Sequence, residues 1–299
     1  MPDQSSSLGY VLVTPARNEE RYIRGTLESM VAQTHRPLRW VIVSDASSDR
    51  TDEIVDEYRC RHDWITLLRM PGTRERSYAN KVHCFNRGVD AVEDLPFEVI
   101  GCLDADVSFE PDHFRFLLGK FAENPRLGVA GAPLVEDGRR YDYRFTSIEH
   151  ASGACQLFRR ACFESIGGYV PIREGGVDWV AVTTARMKGW QTRTFPEKAF
   201  VHNRAMRSGS FSRLGAIFKH GQEDYFLGGH PAWQLARCAY QLSRPPYVIR
   251  GLCLLAGYSY AWLRRTPRPI SAELARFHRA EQLSRLRQFF RLGAGGAGA

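Results

Sequence analysis

The feature that most constrains this chain is an alternation running through its first half. Short, continuous apolar runs recur at Tyr10–Thr14, Trp40–Val43, Ile65–Leu68, Val99–Leu103 and Gly128–Gly131. Between them lie stretches with helical spacing: 20–33, with Tyr22, Ile23, Leu27 and Met30, then one opened by Thr51, then 77–92, then one begun by Pro111 and ending near Phe121. A run that is apolar at successive positions is buried on both faces, and strands that alternate with helices build a parallel sheet covered on both sides. The expected class is therefore α/β, a Rossmann-like, mostly parallel sheet with helices on both faces. In such sheets ligands collect beyond the carboxyl ends of the strands. The loops after the first, second and fourth runs are the places to look for chemistry.

Those loops are rich in carboxylates. The first run ends in Thr14-Pro15-Ala16-Arg17-Asn18-Glu19-Glu20, the second in Ser44-Asp45-Ala46-Ser47-Ser48-Asp49, and the fourth in Leu103-Asp104-Ala105-Asp106. Ser47, Ser48 and Asp49 are explained equally well as caps of the next helix. Asp104 is not, because a carboxylate directly after a buried strand is costly to desolvate unless it is paired or bound to a cation. At i and i+2, the carboxylates of Asp104 and Asp106 are expected on the same side of the strand end, repelling unless positive charge lies between them. A hard divalent cation, Mn or Mg, that keeps waters and accepts phosphate oxygens suits the pair, and would neutralise a diphosphate leaving group. The chain has no phosphate loop, H-E-x-x-H or G-x-S-x-G, and no dinucleotide fingerprint after any of the strand-like runs. A nucleotide would have to be held through metal and side chains.

Read in order, V-T-P-A-R-N-E-E, V-S-D-A-S-S-D-R-T, N-K-V-H-C-F-N-R-G and L-D-A-D resemble the family 2 glycosyltransferases of the GT-A fold. The likeness continues in G-A-C-Q-L-F-R-R-A-C-F-E-S-I-G-G-Y and V-D-W-V-A-V-T-T-A-R-M-K-G-W, so that it covers roughly residues 9–204. The resemblance implies that Pro15 and Glu19 line a nucleotide pocket and that Asp45 accepts hydrogen bonds from the base, typically uracil. It implies that Lys81 is the basic residue near the nucleotide, and that Asp104 and Asp106 take the D-x-D role with Asp106 the more direct metal ligand. His202 resembles a histidine that approaches the metal or diphosphate, and reads equally as a structural histidine. Asp178 falls where the family carries its general base, although Val177 stands where a second acidic residue is usual. Asp178 also reads as the N-cap of a helix over 179–188. Trp179 could stack on a sugar ring or belong to the core.

The implied activity is metal-dependent, inverting transfer of a hexosyl group from a nucleotide sugar, a UDP-sugar by resemblance, to a saccharide or lipid-linked saccharide acceptor. One base takes the acceptor hydroxyl proton and one electrophile carries away the diphosphate. Two rivals remain. A non-catalytic nucleotide-sugar-binding subunit would keep the pocket without turnover. A sugar nucleotidyltransferase would want a glycine-rich basic loop where Pro15-Ala16-Arg17-Asn18-Glu19 stands.

Charge divides the chain. The formal net charge is +8, yet from Arg237 onward there are eleven Arg against only Glu273 and Glu281. That segment also carries an apolar run, Tyr247–Leu263, interrupted by Arg250 and too short to span a bilayer. Beyond it, Ser271–Leu292 places Leu274, Phe277, Leu283, Leu286 and Phe289 on one side and arginines on the others. The pattern predicts a helix in the headgroup region of an anionic leaflet, with a solvated basic face as the alternative. Basic residues interleaved with aromatic platforms on the folded part are missing, so nucleic acid is not an expected partner. The expected organisation is a disordered lead-in over 1–8, then a glycosyltransferase domain over 9–204 with a nucleotide-binding half (9–110) and an acceptor half (111–204). A helical, basic, membrane-associating extension over 205–299 follows. Seven cysteines without a C-x-x-C pair, and an N-terminus lacking a signal core, predict a cytoplasmic chain, peripheral on the inner face of the cell membrane.

Overall fold

The computed structural model describes residues 8–71, 77–136, 139–140, 147–204 and 213–295; the first seven residues of the expected lead-in lie outside this range. The chain divides into two compact units, Met1–Ser208 and Gly209–Ala299.

In the first unit the elements run β1 (Tyr10–Ala16), α1 (Ile23–Val31), β2 (Arg39–Asp45), α2 (Thr51–Arg59), β3 (Ile65–Met70), α3 (Tyr78–Asp90) and β4 (Val99–Leu103). They continue with β5 (Val107–Phe109), α4 (His113–Glu123), β6 (Leu127–Gly131), β7 (Leu134–Glu136), β8 (Arg139–Arg140) and β9 (Cys155–Arg159). The last are α5 (Arg160–Ser165), α6 (Val177–Met187), β10 (Gln191–Thr194) and β11 (Phe200–His202). The five expected strands are β1, β2, β3, β4 and β6. They sit in a seven-stranded sheet ordered β10-β6-β9-β4-β1-β2-β3. Every described pairing in it is parallel except those of β9, which runs antiparallel to both β4 and β6.

The side chains of β1 show why the runs read as continuous. Tyr10 and Leu12 join Trp40, Ile42, Leu27 and Phe114 on one face of the sheet. Val11 and Val13 join Val41, Val43, Phe85 and Val182 on the other. Successive side chains of a strand point to opposite faces, so a sheet covered twice needs apolar residues at every position. Each fully buried side chain of this kind contributes about 1.5–3 kcal/mol.

A second, four-stranded sheet, β5-β11-β7-β8, was not foreseen. Its strands are too short to show a period, and it forms only because the chain leaves the main sheet after β4 and turns through Asp104–Asp106 into β5. β11 pairs antiparallel with β5, setting His202 opposite Val107.

The second unit is helical among its described residues: α7 (Arg213–Phe226), α8 (Pro231–Leu242), α9 (Ile249–Leu263) and α10 (Ala272–Gly295). No described helix is long and apolar enough to cross a membrane.

Candidate active site

The loops after β1 and β2 are stapled to each other. Asn18 adopts a left-handed conformation (φ 55°), its Oδ1 accepts the Ser48 N–H at 2.8 Å, and its own N–H donates to Ser47 Oγ at 3.2 Å. The Glu19 N–H donates to Thr51 Oγ1 at 2.7 Å. Asp49 accepts the Thr51 and Glu20 N–H groups, each at 3.0 Å. The reading of Ser47, Ser48 and Asp49 as helix caps is corrected: the N-cap of α2 is Arg50, without a side-chain cap, and of the three only Asp49 accepts an N–H of the helix, while Ser47 and Ser48 bind the loop after β1. Asp45 closes β2, is buried, and accepts from Arg17 at 3.2 Å. Glu19 is also buried and pairs with the Arg204 guanidinium.

The two carboxylates after β4 make different ion pairs, although the Lys81 charge acts on Asp106 as well. The sheet ends at Leu103, and residues 104–106 turn, so the same-side geometry expected of a continuing strand is corrected. The Asp104 N–H donates to the Ala154 carbonyl at 2.9 Å, and its Oδ1 is ion-paired with Lys81 Nζ. Burial works against the Lys81 charge, but the Asp104 carboxylate overrides it and holds the ammonium above the usual lysine range. Asp106 is fixed by its carbonyl, which accepts the Asn203 N–H at 2.8 Å. Its Oδ1 lies 3.4 Å from His202 Nε2 and its Oδ2 lies 3.0 Å from Arg204 Nε. Burial would raise its pKa, yet the hydrogen bond and charge of His202, with the charge of Arg204, hold it below the ordinary carboxylate range. His202 is held above its ordinary value, chiefly by its hydrogen bond to Asp106 and against its own desolvation.

Among the described residues no group of three His, Cys, Asp or Glu side chains is placed to hold a metal ion. Asp104, Asp106 and His202 are thus not assembled as one ligand set. The Asp106–His202 pair nevertheless fits a divalent cation. The His202 Nδ1–H donates to the Arg204 carbonyl, a contact that fixes the tautomer and turns Nε2 toward Asp106. The carboxylate and the waters and phosphate oxygens that would complete the site are oxygen donors that suit Mn or Mg, and the imidazole favours Mn, the softer of the two. Arg204 Nε is buried and, although 3.0 Å from Asp106, makes no hydrogen bond. The Arg204 guanidinium is thus ion-paired with both Glu19 and Asp106.

Asp178 sits in the first turn of α6, whose N-cap is Gly176 at φ 79°. The N-cap reading of Asp178 is corrected by two residues: the left-handed cap position belongs to a glycine. The Asp178 Oδ2 accepts the Gly153 N–H at 3.1 Å and lies 3.7 Å from His150 Nε2. A Cβ on Gly153 would come within 2.8 Å of Asp178 Cβ, so only glycine lets the backbone approach this carboxylate. Burial holds His150 below its ordinary value, against the opposing charge of Asp178. The charge of Asp178 also reaches Lys81, which ties it electrostatically to the Asp104 pair. Trp179 is half-buried rather than part of the core. Pro15 is a β1 residue paired with Val43, one register position before Ala16 and Ser44.

Arg204, His150 and Gly153 escaped the sequence reading. Arg204 left one signal, an arginine two residues past a histidine in the short run Phe200-Val201-His202. His150 and Gly153 left none, because their role depends on β9 bringing the segment before it alongside α6.

A profile described as "Glycosyl transferase family 2" matches residues 11–172. The poly-beta-1,6-N-acetyl-D-glucosamine synthase of Staphylococcus epidermidis is 29% identical over 136 residues, 45% of this chain and 31% of that protein. The chain therefore matches about a third of the length of its curated relatives. Among solved structures, the mannosyltransferase PcManGT from Pyrobaculum calidifontis, in complex with GDP-Man and Mn2+, superposes with a TM-score of 0.58 at 20% identity, covering 99% of this chain and 82% of its own. S. aureus TarS 1-349 in complex with UDP-GlcNAc gives 0.56 at 16% identity, covering 87% and 74%. At these identities the likeness is one of fold.

Proposed function

The chain belongs to glycosyl transferase family 2, and from that membership we propose that it moves a hexosyl group from a nucleotide sugar to a saccharide or lipid-linked saccharide acceptor, with inversion. A UDP-sugar is the proposed donor, as TarS 1-349 is in complex with UDP-GlcNAc. The observation that carries the reading is the convergence on one electrostatic neighbourhood of a positioned carboxylate, Asp178, and the Lys81–Asp104 pair.

In this proposal Pro15, Glu19 and Asp45 line the nucleotide pocket, and Asp45 accepts from the base. Lys81 and Arg204 face the diphosphate. Asp106 and His202 hold a divalent cation, Mn or Mg, with Asp104 beside them in the D-x-D turn; when bound, the cation neutralises charge on the diphosphate. Asp178 accepts the proton of the acceptor hydroxyl as its oxygen bonds to the anomeric carbon and the bond from that carbon to the diphosphate breaks. The Gly153 N–H fixes the carboxylate, and His150, kept neutral by burial, adds no cation that would weaken it as a base. The wider proposal is peripheral association with the inner face of the cell membrane through the 209–299 unit, where a lipid-linked acceptor would be found.

Replacing Asp178 by Asn tests the assignment. Turnover should fall about 10²–10⁴-fold while UDP-sugar binding, read by thermal stabilisation, is retained. Unchanged turnover removes Asp178 from the mechanism. Donor binding by the wild-type protein with no transfer or hydrolysis would favour the binding-subunit reading.

A further inference from the structure

α9 carries no charge from Gly251 to Leu263. One face, with Gly251, Leu254, Gly257, Tyr258 and Ala261, is buried within its own unit. It approaches α7 so closely that a Cβ on Gly257 would meet the Phe218 carbonyl oxygen at 2.0 Å. Packing accounts for that face. It does not account for the opposite one, where Ile249, Leu252, Ala256, Tyr260 and Leu263 follow one another at three- and four-residue spacing and are all exposed. Leu252 is 56% exposed, Leu263 72%, and Trp262 beside it 61%. A helix at the surface of a soluble unit places charge on its outward stripe, and a contiguous exposed apolar stripe marks an interaction surface.

The ends of the helix name the partner's chemistry. Arg244 precedes the stripe, Arg250 lies in its first turn, Arg264 and Arg265 follow it, and no acidic residue occurs between Arg237 and Ala272. A cleft of about 470 Å³ opens beside Trp262, with Leu235, Arg268 and Arg279 in its wall. We propose that the outward stripe of α9 lies in the headgroup–acyl boundary of an anionic bilayer leaflet, with the arginines at its two ends reaching lipid phosphates. A second copy of the chain fits less well. Crossing two such helices antiparallel about a two-fold axis would set Arg250 of one against Arg264 and Arg265 of the other, whereas a leaflet supplies the opposite charge. At roughly 22 Å for 15 residues, α9 is too short to span and suited to lie flat.

This inference rests on the membrane reading above and assigns the contact to α9 rather than to the apolar run and the Arg-rich helix together. On α10, Leu274 is buried and Phe277, Leu283 and Leu286 are partly covered, leaving Phe289 exposed. The apolar side of α10 is thus mostly occupied within the unit.

The test uses the full chain, sedimented with phosphatidylcholine vesicles with and without phosphatidylglycerol. Wild type should bind the anionic vesicles. Leu252→Ser combined with Leu263→Ser should weaken that binding about tenfold or more, and Arg264→Glu with Arg265→Glu should abolish the preference for anionic lipid. Thermal stabilisation by UDP-sugar should be the same in all three proteins. Equal vesicle binding by the serine variant overturns the proposal. So does a wild-type dimer, seen by light scattering without vesicle binding, that the serine substitutions dissolve. Vesicle binding without any response to nucleotide sugars would instead sink the transferase reading and leave this one standing.

Discussion

Leu12, Trp40 and Ile42 are fully enclosed in the sheet unit, and the loops at its strand ends carry Asp45, Asp104 and Asp106, each facing an Arg, Lys or His. In the helical unit the order is reversed. Leu252, Trp262 and Leu263 stand outward, and the basic residues around them have few acidic counterparts in that stretch of sequence. In the first unit apolar residues make the scaffold and polar residues the chemistry. In the second, an apolar surface left uncovered carries the proposed membrane contact.

The sharpest way to break that contrast is to damage one unit's proposed task without the other's. Asp178→Asn should lower turnover by about 10²–10⁴-fold and leave vesicle sedimentation unchanged; if sedimentation falls with it, the two tasks are not separate. Next in size is the response to losing a leucine. Leu12→Ala, in the enclosed core, should cost about 2–5 kcal/mol by denaturant titration, whereas Leu252→Ala should stay within about 0.5 kcal/mol. A large cost for the second would mean that the stripe is covered after all.

Glycines sharpen the comparison further. At Gly257 an added Cβ meets backbone at 2.0 Å, while at Gly101 it meets the ends of Leu157 and Leu12 at 2.4 and 2.5 Å. Gly257→Ala should therefore destabilise by about 3 kcal/mol and Gly101→Ala by about 1 kcal/mol, because leucine tips can yield and a helix backbone cannot. The smallest effect concerns His202. Its pKa is raised above 6.5 chiefly by the hydrogen bond to Asp106, so its stabilisation is complete below that value and fades as pH rises through the raised pKa. In chelator, the melting difference between wild type and His202→Gln should be about 1–2 °C near pH 6 and shrink toward pH 8; a difference that grows with pH would contradict the ion pair.

Much of the sheet was legible because doubly covered strands leave an unmistakable pattern. The five runs appear as β1, β2, β3, β4 and β6, and the 77–92 helix as Tyr78–Asp90 with Ser77 as its cap. Pro111 precedes its helix rather than starting it, since α4 begins at His113. What stayed hidden was whatever depends on pairing at a distance. β9 is a five-residue strand whose antiparallel direction no local signal encodes. The split of Asp104 toward Lys81 and Asp106 toward His202 follows from a turn that a D-A-D sequence does not announce. Arg204 gains significance only because Glu19, 185 positions earlier, lies against it.

The pairing of β11 with β5 has a further consequence during synthesis on the ribosome. The hydrogen bonds that staple the loops after β1 and β2 to each other all lie within the first 51 residues. The cation pair does not: His202 reaches Asp106 only once a strand some 95 residues downstream has emerged and docked. A translation product stopped before that point would keep Lys81 and Asp104 but lack the His202–Asp106 contact on which the proposed cation site depends.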